Sequence, residues 1–288
     1  MLIGTHLYAG DAAAMRRQQL AVDALPRLGG IEALNVQFET EPHAKLPGIE
    51  TMHVLTRDSN DVAGQGERLK PLTRELFDAL ACVAATRGHQ YFAYINSDVL
   101  VLPGALDAIA RRARQTYAIS RHDVDRFDVD SERDAPLTAG VDMFVFSVPW
   151  WQRHCRRFRP YVIGAACWDN VYTAVMMCHS DGIILNRERL ILHERHESRW
   201  NDAAPSAKYN GFMAALDARY FALWCEYWDR LEQLRARGAP VGDETRLRDE
   251  VFVWRPSASE ALRQSARALR ARLHFRRLRA AARGEPGS

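Results

Sequence analysis

The sequence has no pair of cysteines at a spacing typical of a metal site or a disulfide framework. Its five cysteines are odd in number and widely scattered: Cys82, Cys155, Cys167, Cys178 and Cys225. None of them forms a CxxC pair, which argues against a zinc knuckle. We therefore expect a reducing, cytoplasmic environment.

Long apolar runs and a strong net charge are also absent. No stretch approaches the roughly 20 apolar residues that a membrane span needs, and the opening MLIGTHLYAGDAAAMRR becomes polar too early for a secretory signal. A formal charge of +3 with 26% charged residues is too small to indicate a nucleic-acid partner. With 47% hydrophobic residues in 288, the chain can bury a large core. We expect a soluble globular protein, attached at most to a membrane surface.

Strand and helix patterns alternate over the first 200 residues, and no internal repeat interrupts them. MLIGTHLY, ALNVQFET, TMHVLTRDS, YFAYI, TYAIS and GVDMFVFS are typical of strands, and helical segments separate several of them. This order predicts an α/β fold with a mostly parallel sheet flanked by helices. RHDVDRFDVDSERDAPL, from Arg121, has poor apolar spacing, and we predict a surface loop there. We predict two units, residues 1–200 and a helical C-terminal extension over residues 201–288.

An acidic side chain follows the strand YFAYI, within the triplet Asn96-Ser97-Asp98. Ligands of open α/β sheets bind beyond the carboxyl ends of the strands, so Asp98 lies where a ligand would bind. A hard cation such as Mg²⁺ or Mn²⁺ can be held by one or two carboxylates plus water and phosphate oxygens. Alternatively, Asn96 and Asp98 cap the turn into the helix that begins near Pro103.

Two later segments also hold candidate functional groups. ILHERHESRW places His193 and His196 close to two acids, and imidazoles ligate borderline metals; the alternative is a pair of solvated histidines at a strand end. WDN places Asp169 at the start of a predicted helix, where free amides favour an ionised carboxylate. That residue is either a base or a simple N-cap.

In order and spacing, these segments resemble the GT-A type of nucleotide-diphospho-sugar glycosyltransferases and their bacterial relatives. The likeness covers roughly residues 1–200, and the segments that carry it are RDS, ELFDAL, YINSDVLVLPG, ISRHDVD, GVDMFVFS, PWW, IGAACWDN and H..HE..W. The resemblance implies a GT-A, Rossmann-like fold and transfer of a sugar from a nucleotide-diphosphate donor to a glycan or lipid-linked acceptor, for instance in polysaccharide assembly.

The resemblance also implies roles for individual residues. Asp98 would be the metal ligand in the position of the DxD motif, helped by His193 or His196, with Mn²⁺ or Mg²⁺ as the cofactor. Asp169 would deprotonate the acceptor, which favours inversion, and Asp142, the second catalytic candidate, would line the acceptor or the donor-sugar pocket. The residues assigned to the donor nucleotide are Thr5, Arg57, Asp58, Lys70, Asn96 and Ser97. NSD has one acid where DxD has two, so the metal requirement stays open.

Two other functions stay open beside this one. A nucleotidyltransferase shares such a sheet, although GTHLYAGDAAAMRR is a poor version of its phosphate loop. A non-catalytic protein that keeps the fold and binds a glycan or a partner would explain the missing first acid of DxD.

The C-terminal segment from Ala261 to Arg283 has eight arginines and no acid. Leu262, Ala266, Leu269 and Leu273 line one face of a predicted helix. Such a helix could lie on the anionic inner face of a membrane, or it could dock on the rest of the protein. Nucleic acid is not an expected partner, because aromatic residues that would stack on bases are nearly absent.

Overall fold

The structure, a computed structural model, describes residues 1–39, 46–64, 69–127, 137–196 and 203–253. Within these ranges one sheet contains the strands β1 Leu2–Thr5, β2 Glu32–Phe38, β3 Glu50–Leu55, β4 Tyr91–Ile95, β5 Val99–Val101, β6 Thr116–Val124, β7 Leu137–Ser147, β8 Ile183–Leu185 and β9 Ile191–Glu194. The helices are α1 Ala12–Ala24, α2 Ser59–Ala63, α3 Thr73–Thr86, α4 Gly104–Arg112, α5 Val148–His154, α6 Trp168–His179, α7 Pro205–Leu216, α8 Ala218–Ala236 and α9 Val241–Val251.

The sheet is mostly parallel, which confirms the predicted fold class. Its strand order is β3-β2-β1-β4-β7-β6-β9-β5, and β8 pairs with the first part of β6. The pairs β1–β2, β1–β4, β2–β3, β6–β8 and β6–β9 are parallel. The pairs β4–β7, β6–β7 and β5–β9 are antiparallel. Because β7 runs against both of its neighbours, it begins at the edge where β4 and β6 end.

Alternating side chains of the central strands enter two separate cores. In β7, Phe144 and Phe146 belong to one apolar cluster, whereas Met143 and Val145 belong to another. The second cluster includes Ile109 of α4, so helices cover both faces of the sheet. This arrangement explains the nearly continuous apolar sequences of the central strands.

Aromatic rings fill the first core. The ring of Phe77 in α3 lies 5.2 Å from that of Tyr94 in β4 and 5.5 Å from that of Phe146 in β7. It also lies 5.7 Å from the ring of Trp151 in α5. Full burial of such a side chain stabilises the fold by about 1.5–3 kcal/mol. Helix α3 ends just before Gly88, which adopts a φ of +74°.

The C-terminal helices contribute to this same core. Trp224, Tyr227 and Leu231 of α8 and Val251 of α9 are buried in the cluster that contains Phe77 and Met177 of α6. The division of the chain at residue 200 stays a prediction.

Several sequence predictions need correction at the level of elements. The predicted surface loop from Arg121 is wrong over its first four residues, because β6 continues to Val124 and buries His122 and Val124. The elements β5, α2 and α5 were not predicted. The basic segment from Ala261 to Arg283 lies outside the described residues.

Among the helices that the structure describes, none combines the length and the apolar character needed to cross a bilayer.

Candidate functional site

Four candidate side chains meet at one edge of the sheet because of strand direction. Asp98 follows β4, Asp123 lies near the end of β6, and His193 lies near the end of β9, which is parallel to β6. Asp142 lies in the first half of the antiparallel β7 and therefore comes to the same edge. This edge is where open α/β sheets bind ligands.

Asp98, His193 and His196 form a compact group of possible metal ligands. The Asp98 Oδ2 atom lies 3.3 Å from His196 Nε2 and 4.0 Å from His193 Nε2. The two Nε2 atoms are 3.2 Å apart, and all three ligand atoms lie within 4.8 Å of one another. Asp98 and the segment that carries His193 and His196, almost a hundred positions later in the chain, thus bring three possible ligand atoms together.

The pKa of Asp98 lies below its ordinary value. Burial alone would raise it, but the hydrogen bond from His196 and the charges that His193 and His196 carry when protonated bring it below that value. The carboxylate is therefore ready to ligate a cation. The alternative cap is not found, because no side chain caps the N-terminus of α4.

The donor set fits a divalent cation of borderline hardness. Two imidazole nitrogens and one carboxylate oxygen suit Mn²⁺ better than Mg²⁺, which prefers oxygen ligands and an ideal octahedron. Three protein ligands would leave coordination positions for water or phosphate oxygens. His193 is 8% exposed, so it is not the solvated histidine of the alternative interpretation.

Asp123 and Arg121 extend this group, and the sequence analysis did not single them out. Asp123 Oδ1 lies 2.9 Å from His193 Nδ1 and 3.2 Å from Arg121 Nε. Burial raises the pKa of Asp123, but the hydrogen bond to His193 and the charge of Arg121 bring it below its ordinary value. The alternation of Arg121, Asp123 and the buried His122 and Val124 was the signal that could have revealed a strand here.

Arg121 connects the metal-ligating group to a second cluster of polar residues. Its Nη1 atom donates to Asp142 Oδ2 at 3.0 Å. The other oxygen of Asp142 accepts a short hydrogen bond from Asn96 Nδ2, and the Tyr94 hydroxyl donates to Asn96 Oδ1 at 3.0 Å. Burial raises the pKa of Tyr94, and the charges of Asp142 and Asp98 raise it further. The two clusters are therefore direct neighbours.

Asp169 lies in the first turn of α6, beside Asp142. Burial and the negative charge of Asp142 raise the pKa of Asp169 to about 6, although backbone N–H groups of Asn170, Val141 and Asp169 act in the opposite direction. Asp169 is not the N-cap, since that position belongs to Cys167, which has a φ of +75° and makes no side-chain cap. The simple capping alternative is therefore not what the structure shows.

The residues predicted for the nucleotide have varied surroundings. Arg57 pairs with Glu75 at 3.0 Å, Asp58 caps α2, and Lys70 Nζ donates to Ser206 Oγ at 3.2 Å. Ser97 is buried beside Asp98, and Thr5 is buried at the end of β1. Their roles toward a nucleotide stay predictions.

Comparison with known proteins gives likenesses of structure. No family model and no curated protein matches the sequence. The fold is similar to that of residues 1–349 of S. aureus TarS in complex with UDP-GlcNAc, with 10% identity and a TM-score of 0.42 over 77% of this chain. The chain spans 65% of that TarS fragment.

A second similar structure is a glycosyltransferase involved in glycosylation of the major capsid of PBCV-1. It is 10% identical, with a TM-score of 0.37, and the match covers 74% of this chain and 97% of that one. Both likenesses concern the fold alone. The resemblance to GT-A-type glycosyltransferases stays a likeness of fold.

Proposed function

We propose that this chain transfers a sugar from a nucleotide-diphosphate donor to a hydroxyl acceptor, such as a glycan or a lipid-linked saccharide. One observation carries the proposal: a cluster of possible metal ligands and a carboxylate with a raised pKa lie at one edge of the sheet. Asn96 and Asp142 join the two groups by a hydrogen bond.

The cluster of Asp98, His193 and His196 would hold Mn²⁺ near the donor diphosphate. A divalent cation there, when bound, stabilises the negative charge that develops on the leaving nucleoside diphosphate. Among the chain's own groups, Asp98 has a pKa below its ordinary value and is therefore ionised at neutral pH. The protein thus supplies a fixed negative site for the cation before the donor arrives.

Asp169 is the better candidate for the base. Its pKa of about 6 leaves it ionised at neutral pH yet more basic than an ordinary aspartate. Asp142 instead has both oxygens engaged, by Asn96 and Arg121, and it raises the pKa of its neighbour. We assign proton abstraction to Asp169 and orientation to Asp142. A base that activates the acceptor directly favours inversion of the sugar.

The donor would lie along the ends of β1 and β4. Thr5 is 3% exposed, and its Oγ1 atom has no hydrogen-bond partner in the described part of the chain. A buried hydroxyl without a partner costs about 1–3 kcal/mol, and a polar atom of a ligand would relieve that cost. This supports the end of β1 at Thr5 as part of the place of the nucleotide.

The loop after β1 argues against a nucleotidyltransferase. Such an enzyme would bind phosphates at the N-terminus of the following helix. Here the carboxylate of Asp11 caps α1 and accepts the N–H of Ala14 at 2.8 Å. A negative charge already occupies the position where a phosphate would bind.

Calorimetric titration of the protein with nucleoside diphosphates, with and without Mn²⁺, tests the proposal. UDP is the first ligand to try, because the similar TarS structures contain UDP and UDP-GlcNAc. We expect binding that Mn²⁺ tightens, and hydrolysis or transfer of a nucleotide sugar that falls on the order of a hundredfold in Asp98→Asn.

Asp125→Asn is the matched control, because Asp125 is an 87% exposed carboxylate that pairs with Arg195. Absence of binding by every nucleoside diphosphate would overturn the proposal. Nucleotide binding without turnover of any nucleotide sugar would instead favour a non-catalytic protein. Location at a membrane face and a part in polysaccharide assembly stay predictions.

A further inference from the structure

His193 occupies its place through the register of three strands. It pairs with Val99 of β5 on one side and with Asp123 of β6 on the other. Strand β9 therefore lies between β5 and β6, with Val99, the residue after Asp98, on one side of His193 and Asp123 on the other. Strand ladders are stiffer than loops, so the arrangement is built into the sheet.

The two ring nitrogens of His193 face different partners. Nδ1 lies 2.9 Å from Asp123 Oδ1, whereas Nε2 faces Asp98 Oδ2 at 4.0 Å and His196 Nε2 at 3.2 Å. A carboxylate only accepts hydrogen bonds, so Nδ1 must carry the proton. A neutral imidazole protonated at Nδ1 presents a free electron pair at Nε2, on the side where the ligands converge.

Asp123 is itself held in place. The oxygen that faces His193 also lies 3.2 Å from Arg121 Nε, and Arg121 Nη1 contacts Asp142 Oδ2 at 3.0 Å. The side chains of Asp123 and His193 are 16% and 10% exposed. The contact between them is therefore shielded from competition by water.

We infer that Asp123 is a positioning residue that holds His193 in the tautomer and orientation required for metal binding. The inference rests on the metal site of the proposed function. Outer carboxylates that accept a hydrogen bond from a ligating histidine fix its tautomer and raise its basicity. Asp123 would not touch the metal, the donor or the acceptor. Its effect would pass through the Nδ1–H group of His193.

Titration of the full-length protein with Mn²⁺ alone, followed by the EPR signal of the free ion, tests the inference without any turnover. Asp123→Ala should weaken Mn²⁺ binding about 10–100-fold. Asp123→Asn keeps an oxygen acceptor and should show an intermediate loss. Asp125→Ala, two residues further along the chain, should bind Mn²⁺ like the wild type. Circular dichroism and thermal melting establish that each variant is folded.

Nitrogen-15 NMR of the histidine rings in the metal-free protein provides a second readout. In alkaline buffer, His193 of the wild type should be protonated at Nδ1, whereas Asp123→Ala should populate the Nε2-protonated form. A loss of general packing would not switch the tautomer of one ring.

The outcomes separate the inference from the proposed function. If the wild type binds no Mn²⁺, the metal site is wrong and the inference fails with it. If the wild type binds Mn²⁺ and Asp123→Ala binds it equally tightly, only the inference is wrong. The inference would be established by weaker Mn²⁺ binding in Asp123→Ala, an intermediate loss of Mn²⁺ binding in Asp123→Asn and a switched tautomer of His193 in Asp123→Ala.

Discussion

The carboxylates of Asp142 and Asp169 are neighbours in the site. Asp142 forms a salt bridge with Arg121. Asp142 receives hydrogen bonds from Arg121 and Asn96, which engage both of its oxygens. Burial and the charge of Asp142 raise the pKa of Asp169 to about 6, although hydrogen bonds from backbone N–H groups act to lower it. The raised pKa of Asp169 thus follows from its burial and from a neighbouring negative charge, which its own backbone hydrogen bonds offset only in part.

Removal of the Asp169 carboxylate should abolish most of the transfer. We expect Asp169→Asn to lower turnover of the acceptor by about 10²–10⁴-fold, the range of a lost general base. Donor binding, measured by calorimetry, should change little, because this residue faces the acceptor in our proposal. Equal losses of donor binding and turnover would contradict that assignment.

The pH dependence of transfer should follow the ionisation of Asp169. A base acts when deprotonated, so activity should rise with pH through about 6 and fall about tenfold for each unit below it. Rates measured with a fixed saturating donor across a pH series check this. A profile that is flat through this window would be inconsistent with Asp169 as the base.

Asp142→Asn should move that profile to lower pH. Loss of the neighbouring negative charge lowers the pKa of Asp169. The positive charge of Arg121, which Asp142 no longer neutralises, acts in the same direction. Asp107→Asn, an exposed residue of α4, serves as the control and should leave the profile in place. An unchanged inflection in Asp142→Asn would show that the two carboxylates do not interact.

Helix α7 fixes the segment that leads into α6 and Asp169. Asn210, which is fully buried, accepts the N–H of Val162 at 2.8 Å and donates to the carbonyls of Val162 at 2.9 Å and Ala166 at 3.1 Å. One side chain thus holds both ends of a short loop. The loop then passes through the left-handed Cys167 and enters α6.

Asn210→Ala should destabilise the protein by about 1–3 kcal/mol, because buried backbone groups lose their partners. Thermal or urea unfolding measures this loss. Lys208→Ala, an exposed change in the same helix, should have an effect within about 0.5 kcal/mol. Equal stabilities of the two variants would show that the loop finds other hydrogen bonds.

Local sequence predicted the elements that carry a strong apolar signal, and it placed Asp98 correctly after one of them. The aromatic content of YFAYI and GVDMFVFS made β4 and β7 visible. The segment RHDV was not predicted as a strand because its charged residues conceal the alternation of buried and exposed positions. Its pairing with β7 and β9 makes it a strand. The short β5 likewise depends on pairing with β9, whose partner residues lie 90 to 94 positions away in the chain, which no local pattern reveals.

The molecule as a whole has a main core that joins the sheet to the C-terminal helices. Trp224, Tyr227 and Leu231 are buried in the same cluster as Phe77 and Met177. Each of these large apolar side chains stabilises the fold by about 1.5–3 kcal/mol when buried. A fragment that ends before α7 would expose the surface that they cover.

We therefore expect the fragment of residues 1–200 not to fold on its own. Expression of that fragment, followed by thermal melting and binding of a dye specific for exposed apolar surface, checks this. Cooperative melting with low dye binding would show instead that the predicted division at residue 200 separates two independent units.

The register of β5, β6 and β9 has a consequence for the order of events in folding. Asp98, Asp123 and His193 come together only after contacts between remote parts of the chain have formed, and such contacts form slowly. A denatured chain would offer Mn²⁺ only scattered, weak ligands. During refolding, Mn²⁺ binding would therefore follow helix formation. Only molecules whose sheet has formed would bind the ion tightly.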